Sequence, residues 1–166
     1  MCIRDRITGI TTISASGYNV TLDTATNNFA NEVRITGAVV TVVDENAINL
    51  GASTVTGTYH VTATAGDITN TGALIITGAS TFIVGTTTSN IVLDHASNAF
   101  SNSVTMKAGT SGNLAFGNIE FVDSAAVVIQ TSADTNADGE LLIDGSTDGV
   151  VAVSYTHLTL PTKRIV

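Results

Sequence analysis

The sequence predicts an all-β protein wound as a β-solenoid: short strands joined by sharp corners, each coil pairing with the coils above and below. Three observations carry this prediction. Apolar residues recur at every second position in short runs that end at Gly, Asn, Asp or Ser. A unit of 71–79 residues is written twice. No window keeps apolar residues at i, i+3, i+4 and i+7 over a helix length, so almost no helix is expected.

Strands are expected at Val20/Leu22, Val33/Ile35, Val40/Val42, Ile48/Leu50, Val61/Ala63, Leu74/Ile76, Ile91/Leu93, Ile119/Phe121 and Leu141/Ile143. Each pair sets two apolar side chains on one face of an extended segment. β-Branched Val, Ile and Thr dominate and suit a pleated surface.

The repeat is clearest in LDTATNNFANEVRI (22–35) and LDHASNAFSNSVTM (93–106), where seven of 14 positions are identical. Six form one alternating set: Asp23, Ala25, Asn27, Phe29, Asn31 and Val33 in the first copy. Asp23 matches Asp94 at an offset of 71, whereas VVTVVDENAINL (39–50) matches NIEFVDSAAVVI (118–129) at an offset of 79. The eight extra residues fall around AGTSGNLAFG. Alternation of this kind predicts one face fixed by packing and one free in water. The asparagines fit corners, where their side chains tolerate left-handed backbone and bond to stacked copies of themselves.

At about 20 residues per coil, each unit holds three or four coils and residues 7–153 hold six or seven. The alternative architecture is two tandem β-sandwiches, for which longer antiparallel strands and a large buried aromatic are expected. Residues 7–153 contain no Trp and no Pro.

The 166 residues are 43% hydrophobic, 5% aromatic and 12% charged, so the core must be built from Val, Ile, Leu and Ala. Low charge with high hydrophobicity is the reverse of a disordered chain. Residues 1–6 (MCIRDR) and 154–166 (SYTHLTLPTKRIV) hold four of the six basic residues, the only Cys and the only Pro. Both segments resemble translated sequencing-adapter read-through, and are expected to be artefactual or disordered tails. On that reading the natural chain continues both ways into further repeats. Without the tails, Arg34 and Lys107 face thirteen acids, a net charge of −11. Such acidity argues against a nucleic-acid partner, whose phosphates need basic patches. No apolar run is long enough to predict a membrane-spanning helix, and the absence of Cys from 7–153 excludes disulfides and thiolate metal sites.

The order N-x-F-x-N-x-V (Asn27 to Val33), then V-x-V-x-D-x-N-A-I-x-L-G (Val40 to Gly51), then VTATAGDITNTGALIITG (61–78), resembles repeats of filamentous-haemagglutinin-like bacterial surface proteins. The resemblance implies a right-handed parallel β-helix, here an uncapped fragment. It implies the shaft of a secreted or surface-attached exoprotein with an adhesive or structural role. The implied location is extracellular, and the implied partners are host or neighbouring cell surfaces, glycans or biofilm matrix.

Chemical motifs are sparse. DTNADGELLID offers Asp134, Asn136, Asp138 and Glu140 as candidate calcium ligands, with oxygen donors at alternate residues. Position twelve of such a loop should be a bidentate Glu but is Gly145, so an Asn/Asp-rich corner is the simpler reading, and no cofactor is expected otherwise. A calcium-dependent surface-layer or binding repeat is the corresponding alternative function. His60 and His95 lack a Ser, Cys or acidic partner at a diagnostic spacing and read as surface residues. A carbohydrate-active β-helix enzyme is a further alternative, since glycoside hydrolysis needs two carboxylates at a set separation. Asp23/Asp94 and Asp44/Asp123 recur at equivalent places, however, which suits corners better than one asymmetric site. No enzymatic activity is expected. Thr54/Thr56/Thr58 and Thr62/Thr64 would make an ice- or crystal-binding lattice only if they stacked in every coil.

Overall fold

The computed structural model describes residues 6–86, 88–108, 118–124, 127–129, 140–145 and 153–155; among them there is no helix. The chain opens with β1 (Arg6–Ile7) and β2 (Thr11–Ser14). Coils of three strands follow. The first has β3 (Val20–Leu22), β4 (Asn28–Phe29) and β5 (Val33–Gly37); the second has β6 (Val40–Asp44), β7 (Ile48–Leu50) and β8 (Ser53–Val55). The third has β9 (Tyr59–Ala63), β10 (Ile68–Asn70) and β11 (Leu74–Ile76); the fourth has β12 (Ser80–Val84), β13 (Ile91–Leu93) and β14 (Ala99–Phe100). After these come β15 (Val104–Ala108), β16 (Ile119–Phe121), β17 (Val127–Ile129), β18 (Glu140–Gly145) and β19 (Val153–Tyr155). Every expected apolar pair lies in one of these strands.

Corresponding strands of successive coils pair in parallel, giving a β-solenoid of about five turns. One face is the sheet β3–β6–β9–β12–β15. The other sheet has two rows, β7–β10–β13–β16 and β5–β8–β11–β14, joined because β5 touches β7 at Val33/Leu50 and β8 at Thr36/Thr54. Val20 pairs with Val40, Val40 with Tyr59, Tyr59 with Ser80 and Ser80 with Val104. One circuit therefore takes about 20 residues, as expected for a solenoid coil, and the circuit from Ser80 to Val104 is the longest of the four. Parallel pairing of such short strands leaves no room for the tandem-sandwich alternative.

Among the described residues there are fewer coils than the expected six or seven, and the parallel winding runs only through β16. Beyond it β18 lies antiparallel to β15, with Val104 opposite Ile143, and β17 lies antiparallel to β18. β19 lies antiparallel to β16, with Ile119 opposite Tyr155. These strands occupy edges that a further coil would otherwise pair with.

Register places like on like. Ile48, Ile68, Ile91 and Ile119 form one column, and Val42, Val61, Phe82 and Met106 another. Tyr59, Phe82, Phe100 and Phe121 run through the interior in ring contact, with centroids 5.9, 6.1 and 5.2 Å apart. A buried Leu, Ile or Phe side chain contributes about 1.5–3 kcal/mol. Residues between the column positions face outward, so the five-residue strands alternate buried and half-buried.

Where the third row returns to the first sheet, small residues let the coils approach. Gly57 N–H donates to the Ala38 carbonyl at 2.8 Å, and Gly78 stacks on Gly57 so closely that a Cβ would lie 2.4 Å from its carbonyl carbon and oxygen.

Urea unfolding monitored by circular dichroism checks this packing. Ile68→Ala should cost about 2–5 kcal/mol. Gly78→Val should cost about 1–3 kcal/mol through forced overpacking. Thr81→Ala, on the outer face, should stay within about 0.5 kcal/mol. Equal losses for Ile68→Ala and Thr81→Ala would contradict the assignment of inside and outside.

Candidate functional site

The duplicated stretch is a corner. After Leu22 the chain turns, with Asn27 N–H donating to the Thr24 carbonyl at 3.0 Å and the Asn27 amide donating to the Leu22 carbonyl at 3.0 Å. The second copy repeats both bonds: Asn98 N–H to the His95 carbonyl at 2.9 Å, and the Asn98 amide to the Leu93 carbonyl at 3.1 Å. Asn31 and Asn102 each accept the N–H of the next residue at 2.8 Å. Phe29, Phe100, Val33 and Val104 are buried.

An aspartate on the following coil completes each corner. Phe29 N–H donates to Asp44 Oδ2 at 2.8 Å, and Phe100 N–H donates to Asp123 Oδ1 at 3.3 Å. Glu45 N–H reaches the Asn27 carbonyl at 2.8 Å, and Ser124 N–H reaches the Asn98 carbonyl at 2.7 Å. The two sequence offsets, one for the corner and one for its aspartate, therefore belong to one device. A buried N–H needs a partner, and here a carboxylate takes the place of the next strand's carbonyl.

This geometry corrects two expectations. The matched set is not an inside face throughout, since Asp23, Ala25 and Asn31 are exposed, as are Asp94, Ala96 and Asn102. The stretch contains a turn, so strict alternation fails across it, and nothing in the structure explains the identity of Asp23 with Asp94. The copies also do not stack. Leu22 ends a strand of the first sheet whereas Leu93 ends a strand of the second, so the offset between the copies spans three coils plus one face.

Asp44 is fully buried, and its other oxygen accepts Asn46 N–H at 2.7 Å. Burial raises its pKa above the ordinary 3.8, against the pull of the two backbone donors, and neighbouring Glu45 raises it further. At the surface Arg34 hydrogen-bonds Glu32 at 2.7 Å and holds its carboxyl below the ordinary value.

Beside the first corner lies a groove. β4 pairs with β1 rather than with β7, so Ile48 and Asn49 have no strand beside them on the first-coil side. The space holds a pocket of about 260 Å³ lined by Phe29, Ala30, Asn31, Ala47, Ile48, Asn49 and Thr69. An adjoining pocket of about 420 Å³ adds Arg6, Asn28 and Asn46 and shares Phe29, Ala30 and Ala47. None of these lining residues was a candidate site residue from sequence.

A ladder of polar residues runs up a neighbouring corner. Asn90 N–H donates to Asp67 Oδ1 at 2.7 Å, and Asn118 N–H donates to Asn90 Oδ1 at 2.6 Å. The expected amide-to-amide bonding between coils is found at one duplicated position, where the Asn70 amide donates to Asn98 Oδ1 at 2.8 Å; the ladder uses an Asp or Asn before three of the four column isoleucines, Ile68, Ile91 and Ile119.

Of the calcium-loop candidates, Asp134, Asn136 and Asp138 lie outside the described residues. The backbone of Glu140 opens β18 opposite Lys107. Among the described residues no group of three His, Cys, Asp or Glu could hold a metal. His60 points outward in the column Thr21, Thr41, His60, Thr81, Thr105; burial and then Lys107 lower its pKa. His95 Nδ1 accepts Ser97 N–H at 3.2 Å within the second corner. Thr54 sits between Thr36 and Ile75, and Thr62 between Val43 and Ile83, so paired threonines do not stack into a lattice. Asp44, half of one duplicated acidic pair, has both carboxylate oxygens on backbone N–H groups.

A family model described as repeats of unknown function (DUF5649) matches residues 6–36 and 36–107. The second match is about as long as the offset between the two corners. No curated protein and no solved structure matches the chain.

Two outcomes check the corner. Phe29→Asp, which buries a charge, should abolish cooperative thermal unfolding, whereas Thr26→Lys at an exposed position of the same turn should leave the melting temperature nearly unchanged; equal effects would contradict the geometry. Asp44→Asn should cost about 1–3 kcal/mol at pH 7 by facing an amide N–H toward a backbone donor. Because the folded pKa of Asp44 is raised, the parent gains stability as pH falls through that pKa to about 3.8 and loses it as pH rises. The gap between parent and Asp44→Asn should therefore widen on acidification; a narrowing gap would mean the backbone bonds outweigh burial.

Proposed function

The chain belongs to the family of repeats described by that model, and we propose that it is a shaft segment of a longer secreted or surface-attached bacterial exoprotein. Its work is mechanical and presentational. Coils stack into a stiff element that holds binding regions away from a cell, or offers a repetitive side for weak adhesion. The supporting observation is the run of interior columns such as Ile48, Ile68, Ile91 and Ile119, which devote the apolar residues to extending the coil stack. Acidity supports the reading too, because the −11 charge of residues 7–153 keeps a long array soluble and turns it away from anionic surfaces. Affinity along such a shaft comes from repetition.

β2 and β3 are outermost strands of their sheets among the described residues, and open edges invite association. The purified chain should associate through this open end, seen as a concentration-dependent doubling of mass and lengthening of the particle in small-angle scattering. On intact cells expressing the native reading frame, an antibody to residues 7–153 should label the outside. Compact monomers at all concentrations, with label found only after cell lysis, would contradict the shaft.

A further inference from the structure

We infer that the groove beside the first corner is a subsite for a neutral carbohydrate, and that the sequence of the second corner keeps the frame without three of the amides. The corner explains why a groove exists there. Asp44 receives Phe29 N–H, β4 swings to β1, and the first-coil side of Ile48 and Asn49 is left open. Volumes of 260 and 420 Å³ in contact approach the range of small-ligand sites, about 300–1,000 Å³.

The lining selects the ligand class. No ionisable side chain lines the smaller pocket. Among the described residues, the side-chain amides of Asn28 and Asn46 make no hydrogen bond, and Asn49 uses only its oxygen, accepting Thr71 Oγ1 at 3.1 Å. Each free amide offers two donors and an acceptor side by side. Adjacent sugar hydroxyls, which both donate and accept, match that pattern; a charged ligand would find no countercharge in the smaller pocket, and Arg6 is the one charged side chain lining the larger, where Asn28 and Asn46 lie. Ala30 and Ala47, both exposed, give a small apolar patch for a ring face. Phe29 is only 6% exposed and gives no stacking platform, so binding should be weak, in the millimolar range.

The duplication separates frame from lining. Asn27, Phe29, Asn31, Val33 and Asp44 have identical counterparts in Asn98, Phe100, Asn102, Val104 and Asp123. Asn28, Asn46 and Asn49 correspond to Ala99, Ala125 and Val128. The residues that build the corner are kept, Asn31 of the groove lining among them, while the three amides Asn28, Asn46 and Asn49 have Ala, Ala and Val at the corresponding positions. The inference deepens the presenting-shaft reading, and its failure would leave the scattering and labelling outcomes untouched.

The test is a titration of the ¹⁵N-labelled full chain with methyl β-galactoside, methyl α-mannoside and the N-acetylglucosamine disaccharide. Saturable shifts of the Asn28, Asn46 and Asn49 side-chain amides are expected with at least one sugar, with Asn102 unmoved. The variant Asn28→Ala/Asn46→Ala should keep its dispersed backbone spectrum and lose at least tenfold in affinity. Absence of a saturable shift with all three sugars would overturn the inference, as would shifts that persist unchanged in the folded double variant.

Discussion

A coil must bring the chain back to the place where it started, one strand spacing higher. Everything else in this protein follows from that closure. Parallel strands sit about 4.8 Å apart, so each circuit must advance by that amount while its buried peptide groups find partners. The circuit length can vary, since the path from Ser80 to Val104 is longer than the path from Val40 to Tyr59. The rungs within a strand cannot vary: Ser80 to Val84 meet Tyr59 to Ala63 below and Val104 to Ala108 above without a slip. Length differences are absorbed at corners, and corners are where the polar residues gather.

Three corner solutions recur, each supplying a partner that the ladder lacks. An asparagine side chain ties a turn to the strand before it, as Asn27 and Asn98 do. A carboxylate from the next coil accepts a buried N–H, as Asp44 and Asp123 do. A polar residue before the column isoleucine bonds to its own kind one coil away, as Asp67, Asn90 and Asn118 do. The carboxylate solution has a consequence for the surface. It satisfies the N–H without filling the space a strand would fill, and that unfilled space is the groove.

Strand positions were legible because one face of every strand meets water and the other meets the core, so apolar residues alternate. Ile48/Leu50 and Val61/Ala63 declare themselves in this way. The duplicated stretch was legible as a repeat but not as a shape. Its alternation imitates a strand, while Asn27 N–H closes a turn on Thr24 that sets Asp23 and Ala25 outside. Whether two copies stack or stand one face apart depends on the circuit length, which no local pattern encodes. The end of parallel winding after Phe121 was hidden for the same reason, since Leu141/Ile143 alternates equally well in an antiparallel strand. Groove residues were hidden because an outward Asn looks the same beside a paired strand as beside a missing one.

Distances along the outer face of the first sheet test the stacked register most directly. Spin labels at Thr21 paired in turn with Thr41, Thr81 and Thr105 report one, three and four rungs of the same column. Stacked coils predict backbone separations that grow in proportion, about 5, 14 and 19 Å. A distance from Thr21 to Thr105 no longer than that to Thr81, or one that breaks the proportion, would contradict the account.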